Sequence, residues 1–209
     1  MAEADRFAGI ACAYDRINRI LSLGQEQAWR RRGIAWLPAG KVLDLGSGTG
    51  AANPALAPRE IVALDPSFPM LALNQTPGRV SGLGERLPFA DGSFDGVFSA
   101  YVFRNLDSVP ATLSEIHRVL RPGGVAVVID LARPRRPWLA RLHRAATRVL
   151  VPAVGATVGA RAEYTYLHNS LDKFPDPKTL FEAGRLRLEH FWRMGALGFV
   201  YGVVLRKQD

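Results

Sequence analysis

Hydrophobic and polar positions along the chain follow two alternating rhythms. The runs Lys41 to Leu45 (KVLDL), Glu60 to Asp65 (EIVALD), Phe94 to Ser99 (FDGVFS) and Val125 to Asp130 (VAVVID) have the length and apolar content of buried strands. A less regular run at Val80 to Gly82 falls third among them in chain order. Helical spacing separates the strands: from Pro110 to Leu120 the apolar Leu113, Ile116, Val119 and Leu120 share one face, and the pattern stops before Pro122, Gly123 and Gly124. Strands alternating with helices predict a parallel sheet in a layered α/β domain. A helix near Asp176 to Ala183 then leads to strands near Leu188 to Trp192 and Phe199 to Arg206. So short a connection between these two forces a hairpin, which makes the last strand antiparallel to the rest.

Two regions stand outside that alternation. Phe7 to Leu37 reads as helices interrupted at Gly24, with Trp29, Ile34 and Trp36 to bury, so residues 1–38 are expected to cap the sheet. Leu131 to Phe174 follows the fifth strand and is too long for a plain connection, so residues 131–174 are expected to form a lid over a ligand site. The whole chain, 1–209, is read as a single domain.

Composition narrows the class. With 209 residues, 48% hydrophobic and 22% charged, the chain can bury a full core, which excludes disorder and collagen-like repeats. No run reaches the roughly 18 apolar residues of a membrane span, and Glu3 and Asp5 at the start are unlike a signal peptide, so a cytoplasmic protein is expected. The single Cys12 cannot form an internal disulfide, and His117, His143, His168 and His190 stand too far apart for a zinc site, so no metal is expected. Net charge is +8, and all but four of the 27 basic residues are arginine. Arg133, Arg135, Arg136, Arg141, Arg144 and Arg148 crowd the start of the expected lid, with no acid among them. Such planar forks suit phosphate, carboxylate or phenolate oxygens.

The chemistry gathers at the end of the first strand. Gly46, Gly48 and Gly50 allow a sharp turn and close approach of backbone to a ligand. Gly46, Gly48 and Ala51, with Asp65 some twenty residues on, also fit a dinucleotide fingerprint, so the turn alone is ambiguous. In either reading Asp65 would hydrogen-bond ribose hydroxyls. Asp44 favours S-adenosylmethionine, because a carboxylate two residues before the first glycine would welcome a cationic amino-acid moiety and repel a pyrophosphate. The segment Glu85 to Phe89, followed by Asp91 to Asp95, and the terminal hairpin point the same way, having no counterpart in the dinucleotide motif.

At this point the sequence resembles class I S-adenosylmethionine-dependent methyltransferases and, among them, the ubiquinone/menaquinone biosynthesis C-methyltransferase family. The resemblance covers nearly the whole chain. It begins at Tyr14, Asp15, Asn18, Ser22, Gly24 and Trp29, and runs through VLDLGSGTG, LPFADGSFD, the Phe103, Arg104, Asn105 element, RVLRPGG and Ala132 to Pro134. It ends at Tyr164, Tyr166, Leu167, Ser170, Phe174 and Pro175. It implies a Rossmann-like methyltransferase fold: a mostly parallel seven-stranded sheet with an antiparallel last strand, an N-terminal helical cap and a lid insertion after the fifth strand. The implied cofactor is S-adenosyl-L-methionine. Its site would be built by Asp44, Gly46, Ser47, Gly48, Asp65, Pro66, Met70, Leu83, Gly84, Glu85 and Ser99, with Asp65 on the ribose, Met70 near the adenine and Ser99 at the methionine end. The sequence departs from the family at Leu83 and Gly84, which carry no side-chain hydrogen bond for an adenine amino group. It departs again at Met194, Gly195, Ala196, Leu197 and Gly202 in the C-terminal hairpin, which leaves a different acceptor open.

The implied reaction is C-methylation of a prenylated quinol such as demethylmenaquinol. Alternatives are another small-molecule acceptor or an RNA. A carbon nucleophile needs electron density from a deprotonated ring hydroxyl, and Arg104 is the expected phenolate-stabilising group, with Tyr164 and Tyr166 on the ring oxygens and His168 as a possible base. From Pro137 to Leu150, Trp138, Leu142, Ala145 and Val149 recur at helical spacing beside Arg141, Arg144 and Arg148. Such a helix either rests on anionic lipid at the inner membrane face or packs its apolar stripe on the sheet. The expected partners are thus a lipophilic quinol, a membrane surface and a second copy of the chain, without nucleic acid.

Overall fold

Val42 to Leu45 are buried on both sides of the sheet, as a central parallel strand requires, and they place β1 (Lys41–Leu45) at the middle of the structure. The computed structural model describes residues 15, 18–20, 22–157 and 170–209, with the side chains of 149–157 left aside. After α1 (Glu26–Ile34) and β1 come α2 (Asn53–Leu56), β2 (Glu60–Asp65), α3 (Phe68–Leu73), β3 (Gly78–Ser81), β4 (Phe94–Ala100), α4 (Val109–Val119) and β5 (Leu120–Leu131). The chain continues through α5 (Pro137–Thr157), α6 (Pro177–Glu182), β6 (Arg187–Met194) and β7 (Val200–Arg206). Short 3₁₀ turns lie at Phe103–Asn105 and Ala196–Gly198.

The seven strands form one sheet in the order β3-β2-β1-β4-β5-β7-β6. β7 enters antiparallel between β5 and β6, as the short hairpin connection requires, and the ladders among β1 to β5 are parallel. This is the expected seven-stranded methyltransferase architecture. Two boundaries differ from expectation. β3 begins at Gly78 rather than Val80. β5 begins at Leu120, where α4 ends: Leu120 pairs with Phe94, the ladder shifts register, and Val125 pairs with Gly96. The residues between them bulge outward, with Gly123 at φ 72°, so the Pro-Gly-Gly stop signal interrupts a strand instead of preceding one.

Strand periodicity divides the core. Val125, Val127 and Ile129 of β5 pack in a cluster with Trp29, Ile34, Leu37 and Phe98, whereas Ala126 and Val128 pack on the opposite face with Leu113, Ile116, Val119 and Phe181. α4 is fastened at its start by Ser108, whose hydroxyl accepts from the Ala111 amide at 3.3 Å. α1 approaches β5 closely at Gly33, where a Cβ would lie 2.9 Å from Ile129 Cδ1. At the hairpin, Gly202 lies beneath the Trp192 indole, and a Cβ there would come within 2.2 Å of the ring. That glycine is a packing requirement of the β6–β7 pair.

Candidate active site

Chain order reverses between β1 and β4: the strand after β1 pairs on one side of it, and β4 pairs on the other. In such sheets a crevice opens at the carboxyl ends of the two strands. The glycine turn occupies that place. Gly46, Gly48 and Gly50 have φ of 70°, 52° and 84°, all left-handed. A Cβ on Gly46 would stand 2.2 Å from Val102 of the loop after β4, and one on Gly50 would meet the Asn53 and Asn74 amides at 2.5 and 2.7 Å. The turn is braced from behind by an amide network. Asn74 Nδ2 donates to Ser47 Oγ and to the Gly48 carbonyl, both at 3.3 Å, and Asn53 Nδ2 donates to Asn74 Oδ1 at 2.9 Å and Thr76 Oγ1 at 2.6 Å. From the N-terminal side, Thr49 Oγ1 donates to Asp15 at 2.7 Å, and Gln27 Nε2 to the Ala51 carbonyl at 3.2 Å.

The crevice is a cleft of about 1120 Å³ counted to its open mouth, enough for a nucleoside carrying an amino-acid chain. Asp44, Gly46, Ser47, Gly48, Asp65, Pro66, Met70, Leu83, Gly84 and Glu85, all expected at the site, line it. Asp65, at the end of β2, accepts from the Gly48 amide at 2.9 Å and the Ser67 amide at 2.8 Å. Burial raises its carboxyl above the ordinary range, with these two amides pulling the other way. Both oxygens keep lone pairs for further donors. Glu85 accepts from the Asp107 and Ser108 amides at 3.0 and 3.3 Å, joining the segment after β3 to the start of α4. Asp44 is fully buried in β1, and burial pushes its carboxyl up to about 7, with Arg30 lowering it and Asp65 raising it.

Ser99 is not at the cleft. Its hydroxyl donates to the Leu45 carbonyl at 2.9 Å between β4 and β1, and the next residue, Ala100, takes the lining position. Arg104 does not line the cleft either. Its guanidinium forms an ion pair with Asp130 of β5, both side chains being buried, and also donates to the Tyr101 carbonyl at 3.1 Å. Asn105 donates to the same carbonyl at 3.2 Å. These bonds clasp Tyr101 in a left-handed conformation, φ 67°, that a non-glycine residue adopts only under constraint. Tyr164, Tyr166 and His168 lie outside the described residues.

Sequence reasoning missed Arg30, Tyr101, Val102 and Asn105 as lining residues. Arg30 left one visible trace. The buried stripe of α1 is Glu26, Trp29, Arg30, Gly33 and Ile34, so the arginine occupies an apolar-face position beside a tryptophan.

The sequence profile of the ubiE/COQ5 methyltransferase family matches residues 3–187. The chain is 36% identical, over 82% of its length and 72% of the relative's, to a ubiquinone/menaquinone biosynthesis C-methyltransferase UbiE of Rubrivivax gelatinosus. It is 37% identical, over 83% of its length and 86% of the relative's, to a demethylmenaquinone methyltransferase of Thermus thermophilus. Among solved structures, a SAM-dependent methyltransferase of Thermotoga maritima superposes with a TM-score of 0.63 over 99% of this chain and 100% of its own, at 18% identity, a likeness of fold.

Two outcomes follow from the buried charges. Between the ordinary carboxylate value and about 7, folded Asp44 holds a proton that the unfolded chain has lost, so its contribution to stability falls as pH rises through that window. Asp44→Asn should therefore make the ligand-free protein more resistant to urea at about pH 8 by on the order of 1–4 kcal/mol, with the gain shrinking toward about pH 4.5. A variant no more stable than wild type at the higher pH contradicts the assignment. Arg104→Ala strands the Asp130 charge and should cost about 3–5 kcal/mol in urea unfolding. Replacing Asp130 by Asn in the same chain should recover part of that loss, and strict additivity of the two changes would show that the pair is not coupled.

Proposed function

The chain belongs to the ubiE/COQ5 methyltransferase family, and on that premise we propose that it transfers a methyl group from S-adenosylmethionine to a ring carbon of a reduced, prenylated quinone such as demethylmenaquinol. The observation that carries this reading is identity above one third, over four fifths of the chain, with relatives named for that reaction.

The cleft fits such a donor. The glycine turn offers a cradle that side chains would fill, Asp65 offers acceptor lone pairs to a ribose, and Asp44 Oδ2 is a buried oxygen with no partner among the described residues. Bound there, S-adenosylmethionine supplies an electrophilic methyl group on a sulfonium. Asp65 accepts from the ribose hydroxyls, and Met70 and Leu83 give apolar cover to the base. Gly46, Ser47 and Gly48 let the backbone come close to the amino-acid chain. Tyr101 and Asn105 face the cleft on the β4 side, where the acceptor enters, and the Arg104–Asp130 pair holds their loop in place. Arg104 is then a positioning residue, and deprotonation of the quinol hydroxyl falls to the Tyr164–His168 segment.

A different small-molecule acceptor was the alternative suggested by Met194 to Leu197 and Gly202. None of these residues lines the cleft, and Gly202 is occupied in seating Trp192, so they give no support to a reshaped pocket.

The acceptor's prenyl tail ties the reading to a lipid surface. Trp138 and Leu142 of α5 are 60% and 55% exposed, so the stripe at these positions does not pack on the sheet. Arg141 and Arg148 beside them are exposed as well. Among the described residues no helix is long and apolar enough to cross a membrane, so α5 is proposed to lie on anionic lipid, with the arginines at the headgroups.

Mass spectrometry after incubation with labelled S-adenosylmethionine and reduced demethylmenaquinone should show one added methyl on a ring carbon. Label on a phenol or an RNA supplied in parallel, and none on the quinol, defeats the acceptor assignment. Flotation with vesicles containing anionic lipid should carry the protein at low salt and less at high salt, and Trp138→Ala with Leu142→Ala should reduce it. Absence of binding at low salt removes the lipid contact.

A further inference from the structure

Three non-glycine residues among those described have left-handed backbone: Leu23 at φ 53°, Tyr101 at φ 67° and Leu197 at φ 63°. Hydrogen bonds from Arg104 and Asn105 to its carbonyl hold Tyr101, whose side chain is buried. The two leucines are different. Leu23 is 84% exposed and Leu197 47% exposed, so packing of the side chain accounts for neither. Each sits in a tight turn beside glycines that already supply left-handed backbone, Gly24 at φ 74° in one, Gly195 and Gly198 at φ 75° and 69° in the other. A Cβ makes the left-handed conformation costly, and an apolar side chain in water does not offset that cost. Glycine or asparagine would make the same turns more cheaply. A lone exposed leucine is ordinary. Two of them, at turns whose backbone disfavours them, indicate that these side chains meet something outside the chain.

Both turns lie at the cleft end of the sheet. Leu131, the last residue of β5, pairs with Val200, the first of β7, and Val200 pairs with Met194, the last of β6, so residues 195–199 turn beyond the carboxyl end of β5. α5 starts at Pro137, just past the same point. α1 lies on the sheet with Gly33 against Val127 and Ile129, and with Trp29 further out, against Gly195 and Phe199. The turn at Ser22–Gly24, which precedes α1, is thereby carried to the same end. Phe199 joins the three parts, its ring centroid 6.0 Å from that of Trp29 and 5.4 Å from that of His143 in α5. Leu23 and Leu197 thus share one end of the molecule with the exposed Trp138 and Leu142, and it is the end at which β1 and β4 open the cleft.

Charge selects the occupant. The segments that carry these side chains, 18–25, 135–148 and 195–199, contain Arg19, Arg135, Arg136, Arg141, Arg144 and Arg148 and no acidic residue. Arg144 is paired with Asp172, and the other five are exposed. A second copy of the chain would set these arginines against their own like. An anionic lipid surface offers the opposite charge and, beneath it, an apolar layer. We propose that Leu23 and Leu197 are wedges that enter an anionic membrane beside α5 and hold the cleft end of the sheet toward the lipid. A helix lying on a surface fixes one line, about which the molecule can still roll. Two further apolar points remove that freedom, so a prenylated acceptor reaches the cleft with its tail still in the bilayer. The proposal rests on the lipid contact of α5 and the quinol acceptor put forward above, and assigns the side chains that orient the protein there.

The test combines Leu23→Gly with Leu197→Gly in the full chain and follows flotation with vesicles of phosphatidylethanolamine and phosphatidylglycerol in equal parts. Glycine suits both backbones, so the double variant should resist urea at least as well as wild type. Its partition onto the vesicles should fall roughly tenfold or more. Salt screens the arginines but not apolar insertion, so wild type should keep at high salt a residual binding that the variant loses. Turnover of reduced demethylmenaquinone embedded in the vesicles should fall with partition, while a short-tailed quinol in solution is methylated at the wild-type rate. Leu23→Met with Leu197→Met should float as wild type does. Undiminished flotation of the glycine variant overturns the proposal and leaves the α5 contact standing. Lower resistance to urea shows that the leucines pack within the fold and overturns it. A wild-type dimer that the variant converts to monomer, with flotation unchanged, gives these turns to a second copy and overturns it as well. Wild type that stays off the vesicles at low salt removes the lipid contact itself, and the proposal with it.

Discussion

The gap between the turn after β1 and the loop after β4 governs the rest of the structure. A Cβ at Gly46 would stand 2.2 Å from a methyl group of Val102, so this side chain can seat against the turn at the switch point only because that atom is missing. The Gly46 and Ser47 amides donate to the Leu64 carbonyl at 2.7 and 3.0 Å, which seats the turn on the end of β2. With the turn seated, the Gly48 amide reaches Asp65, and the Asn74 amide closes over the back. The cleft thus opens beside one tight contact between the glycine turn and the Val102 side chain, and its polar side chains lie around that point.

Two carboxylates sit in the middle of this sheet, and the fold treats them differently. Asp130 in β5 is answered within the chain by the Arg104 side chain, the Arg104 amide at 3.2 Å and the Leu131 amide at 2.7 Å. Asp44 in β1 has the Arg30 charge near it, and its Oδ2 has no hydrogen-bond partner among the described residues. Burying a charge without a full complement of partners is expensive. The first arrangement fixes a loop, whereas the second leaves an open oxygen at the cleft at the expense of stability.

The parts of the fold set by local pattern were legible in the sequence. The four apolar runs became β1, β2, β4 and β5, and the hairpin argument for β7 needed only the length of one connection. The glycine turn was legible because left-handed backbone leaves a residue-type mark. Ser99 was not, since alternation along a strand does not say whether the last inward residue meets solvent or a neighbouring carbonyl. Arg104 was read as a group facing the acceptor because it lies in the loop after β4, and nothing in its own neighbourhood shows that Asp130, far along the chain, captures it. The long spacing that hid that pair is the same that hid Arg30, whose neighbours Asp44 and Tyr101 come from β1 and the β4 loop.

The placement of β7 also orders the events of folding. β5 is paired with β4 on one side, and its other side stays open until Val200–Arg206 arrives to lie against it. Until that strand is made, the growing chain carries an exposed edge of VAVVIDL, apolar and rich in β-branched residues, inside what will be the sheet. A strand whose second neighbour follows only far along the chain leaves a window for pairing with the wrong chain, and the arginines at positions 121, 133, 135 and 136, which flank that edge in sequence, are suited to guard it while it is open.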